Sequence, residues 1–432
     1  MRRLLFPLAL GFKTLMARSG RLSPHLRGSM VGIGLSLIPF VVVLEISAGM
    51  IEGITRRYLE LGTYHLQITP PDGWGLEETR AMAGALEGLP AIRRLAVERQ
   101  GLGLLYSKAA RSGVSLRAVP PSLYAQDADF RQLLSLPQGS FDLAGKDAVL
   151  LGSEVASRLG VGVGDTVKLL TAVGKPGRQL PRVSALTVRG IFGTGYLELD
   201  KLWAFLPLES GERLLDPRTS RLFVGVKVEN PFSGLEATIK TLERSLPPGA
   251  RISTWHQLER ASYRSFQTTK ALLLFIMALI VLVAAVNVSS ALVMVVLEKT
   301  QEIGILKSMG ARPGQITLAF TFTGFLTGAA GSLLGLSLGL LAAVRVNELI
   351  RALDDLASLL LSALGALGFP LRVGPEFKLL DTSFYLERIP IRIPFAELLG
   401  MCALTLLISV LASYFPARGA AGIRPMETLR KH

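Results

Sequence analysis

Glu298, Lys299, Glu302, Ile303, Leu306, Lys307 and Met309 lie in one stretch, LEKTQEIGILKSMGARPG, that runs from Leu297 to Gly314. Ile303, Leu306 and Met309 recur at helical spacing, with Lys299, Glu302 and Lys307 beside them, which is the pattern of a short amphipathic helix. Gly310 suits the helix end because it tolerates positive φ, and Pro313 blocks continuation. The chemistry of this pattern is contact: an apolar stripe presented to something outside the chain. Catalytic patterns are missing from the sequence. There is no G-x-x-x-x-G-K-[ST], no H-E-x-x-H and no G-x-S-x-G. The glycines at 160, 162 and 164 lack dinucleotide spacing and read as a turn. Cys402 is the sole cysteine, which excludes a disulfide within the chain, and His25, His65, His256 and His432 share no metal-binding spacing. Any work this chain does draws its energy from a partner.

The stretch sits between two apolar segments, about 271–297 and 316–344, each long enough to cross a bilayer as a helix. Half of the 432 residues are hydrophobic and mean hydropathy is +0.43, ordinary for a membrane protein with one large soluble part. The formal net charge is +14, yet no basic block with interleaved aromatics suggests nucleic acid. The basic residues gather at the flanks of apolar segments, the topogenic pattern of an inner-membrane protein. Residues 1–29 carry Arg2, Arg3, Lys13, Arg18, Arg21 and Arg27 with no acidic residue. They are expected to lie as an amphipathic segment on the cytoplasmic surface. The apolar run after them is too long for a signal-peptide core.

Spans are expected at 30–51, 270–297, 316–344 and 395–415, with both ends of the chain inside. Residues 52–267 form a hydrophilic region on the outer side. Short strand-like runs at 64–68, 148–151, 166–170, 185–189 and 222–228 alternate there with helical patterns, so it reads as mixed α+β. Residues 171–183, between two strands, read as a loop too long for a tight hairpin, and such loops are usually either functional or disordered. The third span carries Gly324, Gly328, Gly331, Gly335 and Gly339, a spacing that lets helices approach closely. Residues 298–315 form the inner helical connection, 345–394 an outer loop and 416–432 an inner tail. The apolar part of the outer loop, 353–367, is short for a span and is placed at the interface or against the soluble region. A fifth span there would move the basic tail outside, against the charge bias. The fold class is therefore a membrane protein with four transmembrane α-helices and a large α+β domain inserted between the first and second. Glu45 in the first span and Asn287 in the second are polar at depth, where such groups face a cavity or a partner. Snorkelling for Glu45 and an interhelical hydrogen bond for Asn287 are the open alternatives.

The run LIVLVAAVN ending at Asn287, followed by EKTQEIGILKSMGA from Glu298 to Ala311, resembles the signature of the FtsX/MacB-type ABC transporter permeases. Further stretches resemble the LolC/LolE permeases of the lipoprotein-releasing system: Phe192–Asp200 with Ala204–Glu209, Phe384–Pro390, and Ser413–Leu429. The resemblance implies the same topology, with a MacB-like periplasmic domain in the bacterial inner membrane. It implies a LolD-like ATPase dimer, which uses ATP and Mg, docking on a coupling helix made of Glu298, Lys299, Glu302, Ile303, Leu306, Lys307, Met309 and Gly310. No cofactor is implied in this chain. A second permease copy or paralogue, a lipoprotein substrate drawn from membrane lipid and a LolA-like periplasmic carrier complete the implied partners. In LolC-type chains a protruding hook engages the carrier. Its candidate here is 172–182, with Pro176, Gly177, Arg178, Pro181 and Arg182 at or near the tip. Glu45 and Asn287 are candidates to line a lipoprotein cavity between subunits. A MacB-type efflux permease and an FtsX-type regulator of cell-wall hydrolases are the alternatives.

Overall fold

The structure is a computed structural model that describes residues 7, 9–13, 23–89, 91–175, 178–232, 234–366 and 393–422. Most of the amphipathic N-terminal segment, the tip residues Pro176 and Gly177, the stretch Phe384–Pro390 and the basic tail beyond Gly422 lie outside these residues. The chain divides into two compact units. One is Met1–Gly49 with Phe266–Leu379 and Pro390–His432, and the other is Met50–Ser265 with Leu380–Ile389.

The first unit holds most of each span. Among the described residues four helices are long and apolar enough to cross a membrane: Pro24–Thr63, Arg264–Glu298, Pro313–Val344 and Phe395–Gly422. They run past the apolar stretches because polar residues at their ends continue the helical pattern outside the hydrocarbon. The third span is the centre of the packing, and its glycines make this possible. A Cβ at Gly324 or Gly328 would strike Ser413 or Ser409 of the fourth span. At Gly331, Gly335 and Gly339 it would meet Ile33, Leu37 and Val41 of the first span at 2.7–2.8 Å. Rising numbers pair with rising numbers in one case and falling in the other, so the third span is parallel to the first and antiparallel to the fourth. Leu26, Met30 and Ile33 of the first span and Val288, Leu292 and Val295 of the second belong to one buried cluster, and Ser29 Oγ donates to the Asn287 carbonyl at 3.3 Å. A further helix, Val346–Ala366, occupies the start of the predicted outer loop.

The second unit is α+β. Its strands are β1 Leu66–Thr69, β2 Arg94–Tyr106, β3 Arg111–Val119, β4 Ser135–Gly139, β5 Ala148–Gly152, β6 Thr166–Lys175, β7 Arg178–Gly193, β8 Trp203–Pro207, β9 Arg221–Lys227 and β10 Arg251–Thr254. They form one sheet in the order β10-β1-β9-β2-β3-β8-β5-β7-β4, with β6 paired to β2 and β7. The β3–β8 and β5–β7 pairs are parallel. Strand alternation gives the two faces different cores. Val114, Leu116 and Ala118 of β3, with Leu222, Val224 and Val226 of β9, join an aliphatic layer. Trp203, Phe205 and Phe223 point the other way into an aromatic layer with Tyr64, Phe130 and Phe192.

The expected long loop at 171–183 is a correction. β6 and β7 pair continuously to Lys175 opposite Arg178, so the segment is a long hairpin. Pro181 and the glycines broke the strand pattern in the sequence. Past Leu170, however, β6 leaves β2 and pairs with β7 alone. A proline is tolerated there because β7 has an open edge.

Candidate functional site: the inter-span helix and the long hairpin

Helix Thr300–Ser308 follows the second span after one turn residue, Lys299. The hydrogen-bond ladder crosses the junction, from Lys299 N to Val295 O at 3.0 Å and from Ile303 N to Lys299 O at 2.9 Å. At the far end Gly310 has φ +95°, and Ala311 N closes on Leu306 O at 3.0 Å. The positive φ of this cap needs a residue without a Cβ.

The orientation of this helix corrects the predicted outward stripe. Ile303 is 2% exposed and belongs to the core of the spans, and Leu306 is half-buried. The outward apolar groups are Ile305, 50% exposed, and Met309, 80% exposed, with Gln301 and Ser308 beside them. A short helix with apolar residues on two sides does not say in sequence which side its own chain covers. Its charged residues tie it to the bundle. Lys307 Nζ donates to the Ala421 carbonyl at 2.9 Å at the end of the fourth span. His25 Nε2 lies 3.1 Å from Glu298 Oε1, joining the start of the first span to the end of the second. Lys299 and Glu302 pair at 2.7 Å within one turn.

On the hairpin, Arg178 and Pro181 lie in β7, Pro181 facing Ala172 across the ladder. Arg182 donates to the Arg213 carbonyl at 2.7 Å, so it braces the hairpin base. Leu180 and Val183 are 62% and 54% exposed, apolar groups on opposite faces of the strand and absent from the predicted tip set.

Glu45 and Asn287 are not brought together. Glu45 is 4% exposed, enclosed by its unit, and neither carboxylate oxygen has a hydrogen-bond partner among the described residues. Asn287 is exposed, and it is its backbone carbonyl that meets the first span.

Sequence reasoning missed a cluster of buried charges in the second unit. It surrounds a π-helical turn, Tyr58–Thr63, and Tyr64, whose φ of +58° is an outlier for a bulky residue. Arg117, 1% exposed, is bidentate to Glu98, 0% exposed, at 2.6 and 2.7 Å. It also donates to the carbonyls of Leu61 and Gly62, and stacks 4.4 Å from the Trp203 ring centre. Tyr64 donates to Glu98 at 2.9 Å. Burial, reinforced by that carboxylate, holds the Tyr64 hydroxyl protonated well above the ordinary tyrosine range. Lys227 meets Glu60 at 2.8 Å and Asp127 at 2.6 Å. His65 lies 3.3 Å from Glu60 and accepts from Val228 N. Arg57 adds a bond to the Thr194 carbonyl at 2.6 Å. The available signal was a charge at an inward strand position: Lys227 shares the face of Phe223 in β9.

Residues 274–425 match the FtsX-like permease C-terminal family, and residues 28–242 match the MacB-like periplasmic core domain. The chain is 25% identical over 425 residues to the lipoprotein-releasing system transmembrane protein LolC of Neisseria meningitidis serogroup B, covering 96% of this chain and 95% of that one. It is 22% identical to LolE of Haemophilus influenzae, covering 94% of each. Similarity at 26% identity extends to the macrolide export ATP-binding/permease protein MacB of Rhodospirillum rubrum, covering 93% of this chain and 57% of that one.

Proposed function

The chain belongs to the FtsX/MacB-type ABC transporter permeases, and from that premise we propose that it is the transmembrane subunit that extracts lipoproteins from the inner membrane for a periplasmic carrier. The observation that carries the reading is end-to-end similarity to LolC and LolE, against a MacB relative of which this chain spans 57%. A permease of this family is not itself an enzyme. A separate ATPase dimer supplies the energy with ATP and Mg, and a second permease subunit completes the passage. The ends of the chain are cytoplasmic and the sheet domain periplasmic, as the basic flanks favour.

The ATPase docks on the outward face of helix Thr300–Ser308, with Ile305 and Met309 as its apolar anchors. Because Ile303 is packed into the bundle and Lys307 is bonded to Ala421, displacement of that helix is transmitted to several spans rather than to the second alone. Asn287, exposed on the second span, is available to the second subunit or the acyl cargo. Glu45 is not open to either in this conformation. The test is reconstitution of the chain with its ATPase and a second permease subunit in vesicles holding an acylated lipoprotein. ATP-dependent appearance of the lipoprotein on a soluble carrier is the expected result. ATP-dependent drug transport without lipoprotein release would support the efflux reading instead.

The hairpin beyond Leu170 is the candidate carrier contact, with Arg178 near its tip. Arg178→Glu is expected to lower carrier capture in a pull-down from the reconstituted complex, at least several-fold. Leu180→Asp should do the same through lost apolar contact. Unchanged capture by both variants removes the carrier assignment. Arg182→Glu is a poorer probe, since Arg182 is already engaged by Arg213.

A further inference from the structure

Helix Val346–Ala366 begins one residue after the third span ends, with Arg345 between them. At 1.5 Å per residue its 21 residues extend about 30 Å. It is two-sided. Leu349, Leu353, Leu356 and Leu360 recur at four- and three-residue intervals and are 44%, 45%, 53% and 54% exposed. Glu348, Arg351, Asp354, Asp355 and Ser358 occupy the opposite side of the wheel. The helix does not suit a crossing, because Glu348, Arg351, Asp354 and Asp355, all in its first half, would enter hydrocarbon. Its leucines are nevertheless left uncovered by the chain's own core.

The neighbouring surface indicates what covers them. The third span leaves Leu334, Leu338, Leu341 and Val344 47–59% exposed, and in a helix that crosses a bilayer such a face meets lipid or another membrane helix. Helix Val346–Ala366 starts two residues after Val344, the last residue of that exposed set, so its apolar face begins where the span emerges. We infer that this helix lies in the membrane interface, leucines in the acyl region and carboxylates in the headgroups, at the leaflet where the third span ends. The occupant of the apolar face is therefore the bilayer, not the sheet domain and not a second copy. Attachment is apolar rather than electrostatic. Glu348, Asp354 and Asp355 outnumber Arg351, so anionic headgroups offer no attraction. This inference rests on the membrane-spanning reading alone and is independent of the cargo.

The test uses the full chain with Cys402→Ser as background, reconstituted in phosphatidylcholine vesicles. A single cysteine is placed at Leu356→Cys or Asp355→Cys and labelled with an environment-sensitive fluorophore. The Leu356 site is expected to be quenched several-fold more strongly by lipid carrying a nitroxide on its acyl chain than by aqueous iodide. The Asp355 site should show the reverse. Adding phosphatidylglycerol should leave both patterns unchanged. Equal iodide quenching at the two sites would overturn the inference by showing a solvated helix. Protection of the Leu356 site from both quenchers would overturn it by showing a protein cover. Lipid contact that appears only with phosphatidylglycerol would overturn the apolar mode of attachment. Loss of lipoprotein release in these variants bears on the proposed function and leaves the quenching result unaffected.

Discussion

Arg117→Ala is expected to destabilise the sheet unit by about 3–5 kcal/mol, the cost of removing one partner from a buried ion pair. Arg117 and Glu98 are both fully buried, so the remaining carboxylate would have neither water nor a countercharge. The loss extends beyond the pair. The guanidinium also satisfies the carbonyls of Leu61 and Gly62, and its plane covers Trp203. Those carbonyls belong to the π-helical turn, whose irregular backbone lacks the partners of a regular helix. Against a typical domain stability of about 5–15 kcal/mol, this is a large fraction. The measurement is pulse proteolysis of the full chain in lipid nanodiscs across a urea series. For a slope of about 2.5 kcal/mol per molar, the midpoint of the sheet unit should fall by about 1–2 M. An unchanged midpoint would show that the pair is not a stabilising element.

The double variant Glu98→Leu with Arg117→Met sharpens the result. Replacing both charges removes the stranded carboxylate, so part of the stability should return. Full recovery is not expected. The Tyr64 hydroxyl and the two carbonyls would still be buried without their partners. A double variant weaker than Arg117→Ala would mean that packing against Trp203, rather than charge, dominates.

The spans were legible because each is a long apolar run, and the third announced its packing through glycine spacing. What the spacing could not say was which glycine meets which helix. Gly324 and Gly328 turn to the fourth span and Gly331, Gly335 and Gly339 to the first, a division set by the helix twist and the position of two other chains of side chains. The sheet was legible in part: short apolar runs at 148–151 and 222–228 read locally as strands, whereas β2, β3, β4, β8 and β10 were not among the expected ones. Its order was not, because β9 sits between β1 and β2 and that pairing is long-range. The hairpin failed for a local reason: Pro181 and Gly174 mimic a loop. The charge cluster failed for a global one. Glu60, Glu98, Arg117, Asp127 and Lys227 are ordinary charges in sequence, and only the fold buries them together. The helix Thr300–Ser308 was found by periodicity but rotated by its environment, since Ile303 had a place in the chain's own core.

That rotation gives the coupling surface its sharpest test. Met309→Asp and Ile305→Asp should each separate ATP hydrolysis from lipoprotein release while leaving the membrane bundle intact. Both side chains are exposed, at 80% and 50%, so a carboxylate there meets water in the free chain and costs the fold little. In the assembled transporter the same carboxylate would be buried against the ATPase without a partner. Loss of an interface anchor of this kind costs about 2 kcal/mol or more, or roughly thirtyfold in affinity. Ile303→Asp is the contrasting case. It would place a charge in the core beside Ile316 and Phe320, and the expected outcome is failure of the chain to accumulate in the membrane. Binding of the purified ATPase to the reconstituted chain, read alongside protease resistance of the spans, distinguishes the two classes. Wild-type affinity and coupled release in both exposed-face variants would exclude this face as the docking surface. Weakened binding with an intact bundle would place the energy inlet on residues that the sequence assigned to the helix but, apart from Met309, not to its outer side.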